Sequence, residues 1–132
     1  TNPGDSVMAT SQKAATFSFK GTSVTYQPGP NGEGIASINC DGTATGYGTV
    51  LGTLSFFEDA PGAQTGRTSW LGTAFLDDGT EVQGSSEGFY ESAGKHKWRV
   101  RGLLRTSTGT MLLSDGVVSL AGRSYKGNLT EL

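Results

Sequence analysis

The sequence predicts an all-β domain, a small antiparallel β-barrel or barrel-like sandwich of about eight strands. Three observations carry this. No long window keeps apolar residues at helical three-four spacing. Turn signals are dense: Pro28-Gly29-Pro30-Asn31-Gly32, Asp41-Gly42, Pro61-Gly62, Asp77-Asp78-Gly79, Ser92-Ala93-Gly94, Thr108-Gly109 and Asp115-Gly116. Between them lie runs rich in Val, Thr, Phe, Tyr and Trp, the residues that fit a pleated, half-buried surface.

The strand segments read from these signals are 15–26, 34–41, 44–57, 66–77, 80–91, 95–105, 110–114, 117–122 and 124–131. The stretch 1–14 is small, polar and aperiodic and reads as a flexible N-terminal arm ahead of a single domain over 15–132. Met8 is a candidate native start, and Thr1 is equally a candidate processed end. One hairpin can be put in register. With Ser92-Ala93-Gly94 as a three-residue loop, Glu91 faces Lys95, Tyr90 faces His96, Gly88 faces Trp98 and Ser86 faces Val100. Tyr90, Gly88, Ser86, Gly84 and Val82 then share the inner face with His96, Trp98, Val100, Gly102 and Leu104. The outer face pairs Glu91 with Lys95, Glu87 with Arg99 and Glu81 with Arg105.

Glycine is abundant, 21 of 132 residues, and several lie inside strands: Gly21, Gly46, Gly48, Gly52, Gly72, Gly84, Gly88 and Gly102. A strand glycine needs a reason, and the usual ones are bulges, sharp coiling or room for a large neighbour. Trp98 opposite Gly88 fits the last. Kinking glycines with hairpin-linked strands favour closure, which removes exposed edges.

Composition excludes several function classes. A net charge of −2 gives no global field toward nucleic acid or an anionic membrane, so neither is expected as a partner. No apolar run reaches transmembrane length and no signal pattern opens the chain, so a soluble chain is expected. Cytoplasmic and exported mature chains fit equally. The single cysteine, Cys40, forms no internal disulfide and reads as a small buried hydrophobe. One His and one Cys cannot make a structural zinc site, and Asp77-Asp78-Gly79 with Glu81 lacks the spacing of a calcium loop. No metal and no cofactor are expected.

The remaining motifs have plain structural readings. Gly84-Ser85-Ser86-Glu87-Gly88 matches a nucleophile elbow in letters, but it lies mid-strand with no helix after it. Glu58-Asp59 reads as a solvated loop. The basic run Lys95, Lys97, Arg99, Arg101, Arg105 reads as a salt-paired exterior rather than a nucleic-acid groove. Asn128-Leu129-Thr130 fits a glycosylation sequon. Asp115-Gly116 reads as a two-residue hairpin turn between Ser114 and Val117. It also admits self-processing, through a cyclic imide or a bond from the Lys97 or Lys126 amine.

Strand count, strand length and glycine pattern over residues 15–131 resemble the small barrels of the calycin and allene-oxide-cyclase-like type. That resemblance implies ligand carriers, cyclases or isomerases. The leading expectation is a non-enzymatic barrel binding a small apolar molecule in its mouth, lined by Trp70, Trp98, Tyr90, Tyr47 and His96. The same residues could instead fill the core. An alternative is a barrel enzyme, either an isomerase or cyclase using His96 beside an acid, or a self-processing chain using Asp115 with Lys97. A third reading is a protein-interaction module or homo-oligomer, suggested by Phe89 and Leu103 on the outer face.

Overall fold

The computed structural model describes residues 14–132, which form a closed barrel of eight antiparallel strands. The strands are β1 (Ala14–Pro28), β2 (Gly34–Ala44), β3 (Gly48–Glu58), β4 (Thr65–Phe75), β5 (Glu81–Ser92), β6 (Lys97–Thr106), β7 (Met111–Ser119) and β8 (Ser124–Glu131). Each pairs with its sequence neighbours, and β1 closes the ring against β8. Residues 1–13 of the expected arm lie outside the described residues, and Ala14 already opens β1.

Two local expectations are corrected, besides the turn expected at Asp41-Gly42, which lies inside β2 while the chain reverses at Thr45-Gly46-Tyr47. The segments expected at 110–114 and 117–122 are joined in one strand, β7, which ends at Ser119, and Asp115-Gly116 is not a turn. Asp115 faces Asn128 and Gly116 faces Gly127 across the ladder. The glycine answers to space. A Cβ at Gly116 would lie 2.8 Å from the Lys126 carbonyl and 2.8 Å from the rings of Phe17 and Tyr125. The second correction is the β5–β6 register. The turn centres on Gly94, Lys95 and His96, so Tyr90 faces Val100 and Gly88 faces Gly102. A Cβ at Gly88 would lie 2.1 Å from the Arg101 carbonyl, so this glycine admits backbone rather than the Trp98 ring. The slip along β6 is an even number of residues, so the inner face keeps its members apart from His96. The expected outer pairs to Lys95, Glu87 and Glu81 do not form. Arg101 pairs instead with Glu91, and Arg99 with Asp115.

The core is the barrel interior. Phe17, Phe19, Leu54, Phe56, Tyr90, Val100, Leu112, Val118, Tyr125 and Leu129 are buried there. Its aromatic centre is Phe17, Phe19, Tyr125 and Trp70, with ring centroids 5.1 Å apart for Phe17–Phe19, 4.8 Å for Phe17–Tyr125 and 5.2 Å for the stacked Phe19–Trp70 pair. Trp70 can lie flat because Gly52 and Gly72 stand directly opposite each other on β3 and β4. A Cβ would come within 2.4 Å of the indole at Gly52 and 2.9 Å at Gly72. This glycine pair is therefore the seat of the Trp70 ring.

Gly52→Ala is expected to destabilise the barrel by about 1–3 kcal/mol through overpacking. Chemical denaturation checks this. Combining it with Trp70→Leu, which removes the ring, should cost less than the sum of the two single changes.

Candidate functional site

β1 has 15 residues and β8 only 8, and this mismatch shapes one end of the barrel. The β1–β8 ladder ends at Lys20↔Ser124. Beyond it, the β1–β2 register shifts between Gly21 and Ser23, a β-bulge, while pairing with β2 runs on to Pro28↔Gly34. The bulge reverses the inward phase. Phe17 and Phe19 point in before it, and Val24 and Tyr26, which pair with inward Ile38 and Ala36, point in after it. The β1–β2 hairpin thus stands above the short β7–β8 turn and leaves a notch in the wall.

Below this notch is a chamber of about 420 Å³. Val24, Tyr26, Ala36, Ile38, Leu54, Phe56, Trp98, Val118 and Leu120 form its apolar lining. Cys40, Glu58, Arg123 and Tyr125 supply polar atoms. Val24 and Tyr26 are 49% and 77% exposed although they belong to the inner face. Tyr125 also borders a second, smaller cavity of about 70 Å³ toward the other end, lined by Tyr47, Trp70 and the aromatic centre. The aromatic cluster therefore separates two spaces, one close to filled and one open.

The five expected lining residues are not brought together. Trp98 lines the large chamber, with its ring 6.2 Å from Phe56. Trp70 and Tyr47 line the small cavity. Tyr90 is buried against Phe56 at 5.0 Å, and its hydroxyl donates to the Ala63 carbonyl at 3.4 Å. His96 was expected inside and is exposed in the β5–β6 turn, with φ 53°. Its backbone carbonyl accepts from the Leu120 amide at 3.0 Å and so ties down the chamber's rim. Lys97 is exposed and faces Ser119. Asp115 points outward from mid-β7 and accepts 3.0 and 2.7 Å hydrogen bonds from Arg99, not from a lysine.

Of the chamber residues only Trp98 was expected from the sequence; the rest of the lining was missed, Val24, Tyr26, Ala36, Ile38 and Arg123 among them. One signal for them was present. Apolar residues fall at odd positions at Phe17 and Phe19 and at even positions at Val24 and Tyr26, with Gly21 between. That phase change is what a bulge leaves in a sequence.

The electrostatics of these groups are plain. Burial pushes the Cys40 thiol up to about 11. Burial likewise pushes the Tyr125 hydroxyl up to about 12, against the opposing pull of the Ser114 side chain. Burial first, then the nearby Glu58 and Asp59 charges, raise the Tyr90 hydroxyl. Hydrogen bonds from Arg99 hold the Asp115 carboxyl below its usual range, despite some desolvation. At the far tip of the overhang, backbone hydrogen bonds at Glu33 and Asn31 lower the Glu33 carboxyl and fasten the β1–β2 loop. No group of three or more His, Cys, Asp or Glu side chains able to hold a metal occurs among the described residues.

The fold and site define a closed eight-stranded antiparallel barrel with an open apolar chamber at one end. Comparison with protein-family models, curated proteins and solved structures finds no match to this chain.

Two predictions follow from these charges. Asp115 has a depressed folded-state pKa, so its stabilising effect is present above the ordinary aspartate range and is lost as pH falls through it. Asp115→Asn should therefore lower stability at neutral pH by only about 0.5 kcal/mol, because solvent screens the pair. That difference should shrink as pH falls below the ordinary aspartate range in acid titrations of both proteins. Cys40 is 4% exposed and stays a protonated thiol at neutral pH, so iodoacetate should leave it unmodified in the native protein and alkylate it fully in denaturant.

Proposed function

We propose that this barrel binds one small, mainly apolar molecule in the chamber beneath the β1–β2 overhang. The supporting observation is the chamber itself. It measures about 420 Å³, within the range of roughly 300–1,000 Å³ usual for small-molecule sites. Its apolar walls are broken by a few polar groups, the pattern that binds an apolar body and orients it. The exposure of Val24 and Tyr26 on the inner face adds to this, since an occupant would cover apolar surface that the chain leaves open. The calycin-like and allene-oxide-cyclase-like resemblance is one of architecture, and it agrees with a binding role.

The enzymatic alternatives have less support. His96 is a turn residue exposed to solvent, and Asp115 is engaged by Arg99 within a continuous strand. An interaction role through the outer face rests on Phe89 and Leu103, which are 69% and 44% exposed, without any feature that selects a partner.

The test is titration with the neutral fluorescent probe N-phenylnaphthylamine, beside native and denaturing mass spectrometry of the purified chain. One probe per chain should bind. Ala36→Trp, which fills the chamber from β2, should weaken binding by about tenfold or more, a loss of roughly 1.4 kcal/mol. Far-UV circular dichroism should show that the variant keeps the barrel. No saturable binding to the parent protein, or equal binding to a folded Ala36→Trp, would overturn the proposal.

A further inference from the structure

Four turns of the barrel share one geometry. Gly32 donates its amide to the Gly29 carbonyl at 3.2 Å with φ 83°. Gly79 donates its amide to the Leu76 carbonyl at 3.0 Å with φ 91°, and Gly109 donates to Thr106 at 3.0 Å with φ 89°. In the β7–β8 turn the Arg123 amide donates to Leu120 at 3.1 Å with φ 49°. The β7–β8 turn thus places an arginine in the left-handed conformation that glycine takes in the other three. A side chain there costs conformational energy, and strain of this kind concentrates where a side chain is needed for its chemistry. A glycine was one residue away, at Gly122.

The position of Arg123 says what that chemistry is. Its turn forms the low rim of the large chamber. Its backbone carbonyl accepts from the Gly21 amide at 2.7 Å, at the point where the β1–β8 seam ends and the notch begins. Its guanidinium folds back onto the Leu120 carbonyl of its own turn. Among the described residues the ion pairs are Arg67–Glu33, Arg99–Asp115 and Arg101–Glu91, and Arg123 is in none. Glu58, the carboxylate that lines the same chamber, stands on β3, which is separated from β8 by β1 and β2, and forms no ion pair with Arg123. A guanidinium has several donors in a planar fork that suits a carboxylate or similar oxyanion. One carbonyl leaves most of that fork open.

Building on the binding role proposed above, we infer that the ligand carries a single anionic group and that Arg123 receives it at the notch. The apolar, ring-sized body lies among Tyr26, Ile38, Phe56 and Trp98, with the anion at the β7–β8 turn. Glu58 repels a negative charge on its own side of the chamber and so favours one orientation.

The experiment compares two molecules with the same ring body, naphthoate and its neutral counterpart naphthylmethanol. Isothermal titration at neutral pH uses the full chain, Arg123→Gln, Arg123→Gly and Glu58→Gln. Naphthoate should bind the parent chain about tenfold more tightly than the alcohol, as a charge-assisted bond at a partly open site allows. Both Arg123 variants should remove that preference, weakening naphthoate by about tenfold more than the alcohol. Glu58→Gln should tighten naphthoate only. Arg123→Gly should also raise the melting temperature by a few degrees, as relief of the turn requires. Equal affinity of the parent chain for the two molecules, or a preference that survives Arg123→Gln, would overturn the anion assignment and leave the apolar chamber standing. A melting temperature that falls in Arg123→Gly would also count against it, because the arginine would then serve the turn. Failure of both molecules to bind would remove the binding role and the anion assignment together.

Discussion

The seam between β1 and β8 governs the rest of the molecule. An eight-stranded barrel has an interior just wide enough to be filled by side chains. Whether it is filled or open depends on where the last strand stops against the first. Here β8 ends its ladder at Lys20, and β1 continues with β2 alone to Pro28. At the β8 end of that seam the wall is complete and the interior is packed with Phe17, Phe19, Trp70 and Tyr125. Beyond it, β1 has no β8 beside it to close the wall, and the chamber follows.

The glycines make both halves workable. Gly52 and Gly72 let the Trp70 indole lie against the wall, and Gly116 leaves room for Phe17 and Tyr125. A plug of large rings is then compatible with a narrow barrel, and it stops the open chamber from running through the molecule. The lone cysteine and the Tyr125 hydroxyl sit at the boundary of that plug in their neutral forms, which suits an apolar chamber floor. The charged groups stay outside or at the rim. Arg99 with Asp115 and Arg101 with Glu91 neutralise the outer surface of β5, β6 and β7, and Arg123 and Glu58 are left to face the chamber's opening.

The order of these features gives the site its character. A rigid wall of long ladders carries the apolar residues. A short turn, fixed by the His96 and Gly21 backbone contacts, carries the left-handed Arg123. Strain on a well-anchored turn persists because its neighbours hold it, whereas on a loose loop it would relax.

The sequence by itself determined the all-β class, a barrel or barrel-like sandwich of about eight strands, and the hairpin faces, because alternation and turn chemistry are local; closure through β1 and β8 was decided by the tertiary structure. Even the mistaken β5–β6 register kept Tyr90, Gly88, Trp98 and Val100 on the inner face, since an even slip does not change a period of two. It also carried the phase change between Phe19 and Val24, though not its meaning. Tertiary structure alone decided that Asp115-Gly116 lies within a strand, because the need for that glycine comes from Phe17 and Tyr125 on other strands. It alone separated Trp98 from Trp70 and Tyr47, and turned His96 out to solvent. The site follows from how far β8 runs along β1, a pairing between the two ends of the described chain, and no local pattern records the length of such a pairing.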